Sequence, residues 1–285
     1  MDMRWDEPLT RVTATLNYLA PMSAKPPVVY TFEPPPGVPW RTAELEPRTV
    51  AVRDARPAAA RLSLDAQGFA FLHAPTAAGD LYDDAVVRSV YLPETERLVR
   101  AVTGAARVVA FDYNRRSAPR AAAGEGGVKE PVKRVHNDFT AASGRERARA
   151  ELEARGEDPA ALLCGRFAIV NLWRPIRGPV EESPLAVCDA GTIEPGDLVA
   201  TSLVYRDRVG EVYSVTFSPR HRWFFFPRME RDEVLLIKCC DSAEDGTARF
   251  TAHTAFDDPG SPPDATPRES IEVRTLVLFD SPGRP

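Results

Sequence analysis

Apolar and polar positions alternate along RVTATLNYLAP near the start of the chain, the period of a strand with one face against a core. A proline-rich crossing, YTFEPPPGVPW, follows, and LSLDAQGFAFLHAP then reads as a short strand pair entered through Gly68. The period changes next: DLYDDAVVRSVY and LPETERLVRAVTG carry apolar residues at helical spacing, the second with Pro93 near its start and Gly104 at its end. RVVAFDYNRR returns to strand, SAPRAAAGEGGV at 117–128 reads as a mobile loop, and SGRERARAELEARGEDPAALL as a charged helix with a solvated Glu/Arg face. From residue 165 onward the pattern is almost purely β. RFAIVNLWRPI, PLAVCD, DLVATSLVYR, EVYSVTFS, RWFFFP, EVLLIKCC, ARFTAHTAF and SIEVRTLVLF are short, rich in Val, Ile, Phe and Thr, and bounded by Gly, Pro, Asp or Ser. Short strands separated by turn signals form a sandwich or a barrel. Because the helices precede them, the pattern predicts a mainly β chain: a double-stranded β-helix, the cupin-like jelly roll, with N-terminal and flanking helices.

At 285 residues and 44% hydrophobic the chain suits a single domain over 1–285, with strands and helices of 1–130 packing on a jelly-roll core at 131–285. Its 36 basic and 41 acidic residues are scattered, for a net charge of −5, which excludes a basic stripe and argues against a nucleic-acid partner. No run of 18 apolar residues is present, and MDMRWDEPLT lacks the apolar core of a secretory signal, so the expectation is a cytoplasmic protein without a membrane partner. Cys164, Cys188, Cys239 and Cys240 follow no zinc spacing and read as reduced packing residues.

The chemistry begins at RVHNDFT, where one of only four histidines stands two positions before Asp138. On an extended strand i and i+2 share a face, so His136 and Asp138 can converge on one ion. An imidazole and a carboxylate are two thirds of the facial triad that holds Fe(II) in non-haem oxygenases, with the opposite face left open for a cosubstrate and dioxygen. A lone HxD also occurs by chance, so a third ligand must be found downstream. His221 in PRHRWFFFP and His253 in ARFTAHTAFDDP are the candidates, while His73 reads as a packing or surface residue. An oxygenase using 2-oxoglutarate needs a cation for the distal carboxylate, and an arginine suits it through its bidentate fork. His253 is followed by a proline-rich turn and then PRESIEVR, which opens the last strand with Arg268, and Ser270 shares its face. Two more strands follow His221, so strand order favours His253. Arg274, inside an apolar strand, needs a carboxylate partner, either a metal-ligating residue or a bound acid, and joins Arg268 and Ser270 as a candidate cosubstrate residue. Lys238 reads as half of a buried ion pair, and the aromatic run Trp223–Phe226 as core.

Taken together, VHNDFT, NLWRPI with GPV and SPLAVCD, RHRWFFFPRM with DEVLLIK, ARFTAHTAFDDP and PRESIEVR resemble the CmcJ/NvfI oxidoreductases, from LNYLAP near residue 16 to the end of the chain. The resemblance implies an oxygenase of secondary metabolism that uses Fe(II), 2-oxoglutarate and dioxygen on a small-molecule substrate, by hydroxylation, desaturation or oxidative cyclisation. His136 and Asp138 match the HxD of that family. The spacing from Asp138 to His253 is longer than in many such oxygenases, and the shorter gap to His221 suits the phytanoyl-CoA hydroxylase type, so both histidines stay open here. A homodimer or a partner enzyme is compatible with the resemblance, as is an obligate partner subunit active only with a second enzyme. The reading from a different class is a non-catalytic jelly roll that binds a small organic acid.

Overall fold

The computed structural model describes residues 9–21 and 26–280. Most of the N-terminal stretch read for signal character, at 1–8, lies outside it, as do residues 22–25 and the last five residues. Strands β1 (Arg11–Leu19), β2 (Val28–Tyr30), β3 (Leu45–Asp54), β4 (Phe69–His73), β5 (Arg107–Arg116) and β6 (Val128–Lys129) come from the first 130 residues. The rest of the chain adds β7 (His136–Asn137), β8 (Phe167–Pro175), β9 (Leu185–Cys188), β10 (Leu198–Val204), β11 (Val209–Val215), β12 (Trp223–Phe225), β13 (Glu233–Asp241), β14 (His253–Ala255) and β15 (Ser270–Leu278). The larger sheet runs β1, β3, β12, β9, β14, β7, β11, β10, β2, and the smaller one β4, β13, β8, β15, β5, β6. The first 130 residues therefore enter both sheets of the jelly roll.

β8 shows why the two sheets stay together. All nine of its residues are buried, which is why FAIVNLWRP reads as a nearly continuous apolar run rather than an alternation. Ala168, Val170 and Leu172 point outward into a cluster with Leu81, Val87, Tyr91 and Val99 of the helical segment. That segment ends in the helix Leu92–Thr103, which has Pro93 in its first turn and Gly104 in the left-handed region (φ 66) as its stop. Trp173 points the other way and packs with Leu235 and Ile237 against Val187 and Phe224 of the larger sheet. Each such fully buried side chain contributes about 1.5–3 kcal/mol, so the intersheet layer and the helix layer are both needed. Trp223, Phe224, Phe225 and Phe226 are all core residues, at most 3% exposed.

The inner face of β15 changes character along its length. Ser270, Glu272 and Arg274 lie opposite Arg116, Asn114 and Asp112 of β5, and directly paired residues share a face. Past a bulge between Arg274 and Thr275, that face becomes Leu276 and Leu278, closed by Ala148 and Leu152 of the helix Ala141–Glu153. One end of the barrel is thus filled with hydrocarbon and the other with charge.

Two local readings differ from the structure. LSLDAQ forms no strand, because Gln67 Oε1 accepts the Ser63 N–H (3.1 Å) and Ser63 Oγ accepts the Ala66 N–H (3.1 Å), a local alternative to ladder bonding. Gly68 follows this turn at φ +84, where a Cβ would stand 2.1 Å from Thr251 Oγ1. The 117–128 stretch is not simply a loop: Ala118–Ala122 is a short helix, started by Pro119 and built from alanines. No helix among the described residues is long and apolar enough to cross a membrane.

Candidate metal centre

β7 pairs antiparallel with β14 so that His136 stands opposite His253. Their rings leave the same face, with centroids 4.5 Å apart. Alternation along the chain brings Asp138 to this side as well. Its Oδ1 is 3.6 Å from His136 Nε2 and 4.0 Å from His253 Nε2, and the three potential ligand atoms lie within 4.8 Å of one another. Asn137, between the two, points the opposite way and ties the segment down. Its Nδ2 donates to the carbonyls of Phe139 (2.7 Å) and Cys239 (2.8 Å), and its Oδ1 accepts the Thr251 N–H (3.2 Å).

The orientation of each ring follows from its other nitrogen. His136 Nδ1 lies 2.9 Å from the Arg134 carbonyl and His253 Nδ1 3.0 Å from the Thr251 carbonyl. A carbonyl only accepts, so Nδ1 carries a proton and Nε2 is the nitrogen turned toward Asp138. Burial, with the neighbouring His253 ring, pushes the His136 imidazole down to about 4, which leaves it neutral and able to ligate at pH 7.

Asp138 is held by its far oxygen. Oδ2 accepts from Asn171 Nδ2 (2.8 Å), Arg274 Nε (3.0 Å) and Arg274 Nη2 (2.9 Å), which turns Oδ1 toward the imidazoles. Burial would raise the Asp138 carboxyl, but the Arg274 guanidinium and the two histidines outweigh it and hold the group well below the usual carboxylate range. Arg274 also reaches Asp112 (2.8 Å). Of the two partners the sequence allowed for Arg274, the structure supplies the protein's own carboxylates.

His221 is placed elsewhere. Its ring stacks on Tyr18 (centroids 5.7 Å, 15°), Nδ1 lies 3.2 Å from the Tyr18 hydroxyl, and Nε2 lies 3.1 Å from Asp197 Oδ2. His73 is exposed at the end of β4. Lys238 is buried and paired with Asp241 (2.8 Å) and Asp65 (2.5 Å).

Beside the histidines lies a small pocket whose walls include His136, His253, Trp173, Arg116, Arg268 and Glu272. Arg268 and Ser270 are 3% and 1% exposed. Arg268 Nη1 donates to the Ser183 carbonyl (2.6 Å) and the guanidinium stands 5.6 Å from the Trp173 ring. Arg268 Nε and Ser270 Oγ are buried without a hydrogen-bond partner among the described residues. Burial, helped by nearby Arg116, pulls the Arg268 guanidinium down to about 9. A buried cation in this condition favours an anionic ligand.

Asn137, Asn171, Arg116 and Glu272 were not singled out from the sequence. The signal for Asn171 was available: it is one of two conspicuously polar residues in the run FAIVNLWRP. Arg116 and Glu272 depend on cross-strand register, which single-chain periodicity does not report.

A jelly roll that gathers two imidazoles and a carboxylate on one side of a buried arginine has the architecture of the non-haem iron oxygenases. Comparison with known proteins narrows that class. The family described as "Oxidoreductase/YMDC permease-like domain" matches residues 16–278. The Fe(II)/2-oxoglutarate-dependent dioxygenase nvfI of Aspergillus novofumigatus is 35% identical over 87% of this chain and 90% of its own length. The hydroxylase/desaturase efuI of Hormonema carpetanum is 30% identical, covering 82% of this chain and 85% of its own. The solved structure of the iron and alpha-ketoglutarate-dependent endoperoxidase NvfI superposes with a TM-score of 0.86 at 32% identity, over 96% of this chain and 99% of that one. The chain belongs to this family of Fe(II)/2-oxoglutarate-dependent dioxygenases.

Proposed function

We propose that Fe(II) is held by His136 Nε2, Asp138 Oδ1 and His253 Nε2, and that 2-oxoglutarate lies between this centre and Arg268 with Ser270. The donor set suits the metal: two imidazoles and one carboxylate, each oriented by a second partner. The pocket suits the cosubstrate, because the unpartnered Arg268 Nε and Ser270 Oγ offer donors to a carboxylate beside the same histidines. That placement of Arg268 and the two histidines around one pocket is the observation that carries the reading.

When bound, iron with 2-oxoglutarate and dioxygen supplies an oxidation of a substrate carbon coupled to formation of succinate and CO2. The chain's own residues prepare the ground for it. Arg274 and Asn171 fix Asp138 so that one oxygen alone faces the centre. Trp173, Val132 and Leu185 line the pocket with hydrocarbon and limit water. The substrate is a small organic molecule of secondary metabolism, oxidised by hydroxylation, desaturation or cyclisation, in keeping with the names of the hydroxylase/desaturase and endoperoxidase relatives. The free cysteines accord with a reducing, cytoplasmic setting.

The test is succinate formation from 2-oxoglutarate by purified protein with Fe(II) and air. Wild-type turnover that Asp138→Ala and His253→Ala both abolish is expected. Turnover retained in either variant would refute the assignment of that ligand.

A further inference from the structure

We propose that Arg116 is a second cation for the distal carboxylate of 2-oxoglutarate, acting in a two-arginine clamp with Arg268. The inference rests on the assignment of the cosubstrate's far end to Arg268 and Ser270. Arg116 closes β5 directly opposite Ser270 of β15, so the two residues share the inner face of the smaller sheet. It lines the same pocket as Arg268, Trp173 and the two histidines. Its Nη1 donates to the Glu130 carbonyl (2.8 Å), a neutral acceptor, and among the charges around it the Glu272 carboxylate acts most strongly.

The nearby carboxylates are already shared. Asp138 accepts from Arg274, Asp112 is paired with it, and Glu272 stands 3.8 Å from the same guanidinium. Arg116, partly buried, and Arg268, fully buried, are therefore two guanidiniums brought to one pocket, each donating to a backbone carbonyl. Burial lowers both guanidiniums; Glu272 opposes this at each, while Arg274 adds to it at Arg116 and Arg116 adds to it at Arg268. Fold stability alone selects against such a pair, because like charges repel most strongly where water is excluded. A carboxylate between them relieves that repulsion and takes charge-assisted hydrogen bonds from both sides.

A carboxylate of the primary substrate has the same chemistry as the distal carboxylate of 2-oxoglutarate, and the two are separated by the choice of probe. Full-length wild type, Arg116→Gln, Arg116→Lys and Arg268→Gln are loaded with Mn(II), which occupies the centre without turnover. Each is titrated calorimetrically with 2-oxoglutarate and with 2-oxobutyrate, which keeps the 2-oxo acid end and lacks the distal carboxylate. Arg116→Gln is expected to weaken 2-oxoglutarate by about 10- to 100-fold, to leave 2-oxobutyrate within about twofold, and to be partly rescued in Arg116→Lys. Without metal or 2-oxoglutarate, Arg116→Gln should melt no lower than wild type, since it removes one of two repelling charges. Unchanged 2-oxoglutarate affinity in Arg116→Gln, with loss in Arg268→Gln, overturns the second cation while leaving the Arg268 anchor in place. Equal weakening of both acids in Arg116→Gln, or a lower melting temperature of its apo form, overturns it in favour of a structural role. If Arg268→Gln also leaves 2-oxoglutarate binding intact, the anchor assignment falls and the clamp with it.

Discussion

Replacing Arg274 by Gln removes the cation that orients the only carboxylate of the metal centre. The wild-type guanidinium makes two contacts to Asp138 Oδ2, at 3.0 and 2.9 Å, and leaves Oδ1 for the metal. In Arg274→Gln only the Asn171 Nδ2 contact at 2.8 Å still holds the carboxylate, so it can rotate and pick up a proton. Loss of such an outer partner costs about 10- to 100-fold in metal affinity, roughly 1.4–2.8 kcal/mol. The apo protein should suffer more, because Asp138 becomes a buried carboxylate without its cation. Breaking a buried pair costs about 3–5 kcal/mol, and the 18% exposure of the Arg274 side chain puts this case at the lower end. For a chain of this size that is a fall in Tm of about 5–10 °C. Co(II) titration against a competing chelator reads the affinity, and thermal unfolding with and without Co(II) reads the stability. Metal should recover part of the lost Tm. Metal affinity unchanged in Arg274→Gln, with a raised requirement for 2-oxoglutarate, would refute this account and return Arg274 to the cosubstrate.

His221→Ala should keep full metal occupancy while losing about 2–3 kcal/mol of stability, because it deletes the stack on Tyr18 and the contacts to Tyr18 and Asp197; metal analysis alongside denaturant unfolding checks both halves. The apo protein should also lose stability on acidification through the His136 window. Above pH 6.5 the ring is neutral in both states, between 6.5 and about 4 only the unfolded chain takes the proton, and below about 4 both do. This group's contribution, about 3 kcal/mol at most, thus falls as the pH drops from 6.5 to 4 and then levels off, and His136→Gln should flatten that part of a urea-midpoint profile against pH.

The parts of the fold that periodicity revealed are those that keep one face on the same layer along the whole strand. RVVAFDYNRR and SIEVRTLVLF follow β5 and β15 closely because each packs one face on the helix layer throughout. LSLDAQ failed for the opposite reason: its polar side chains bond to their own backbone, and no hydrophobicity pattern reports that choice. The HxD was legible because its spacing is local. His253 came from strand order, since β14 is only three residues long and has no period of its own to read. For Arg274 the need for a carboxylate was legible, but the choice between Asp138 and a bound acid turns on a contact between β15 and the residue after β7, 136 positions apart. Arg116 was invisible for the same reason, its meaning lying in the residue opposite it.

Crystals grown without oxygen in Fe(II) and 2-oxoglutarate, measured on both sides of the iron absorption edge, decide which side chains hold the metal. One strong anomalous peak is expected, bonded to His136 Nε2, Asp138 Oδ1 and His253 Nε2, with the distal carboxylate of 2-oxoglutarate at Arg268 and Ser270. A peak at His221, or iron bound with His253 left free, would contradict it.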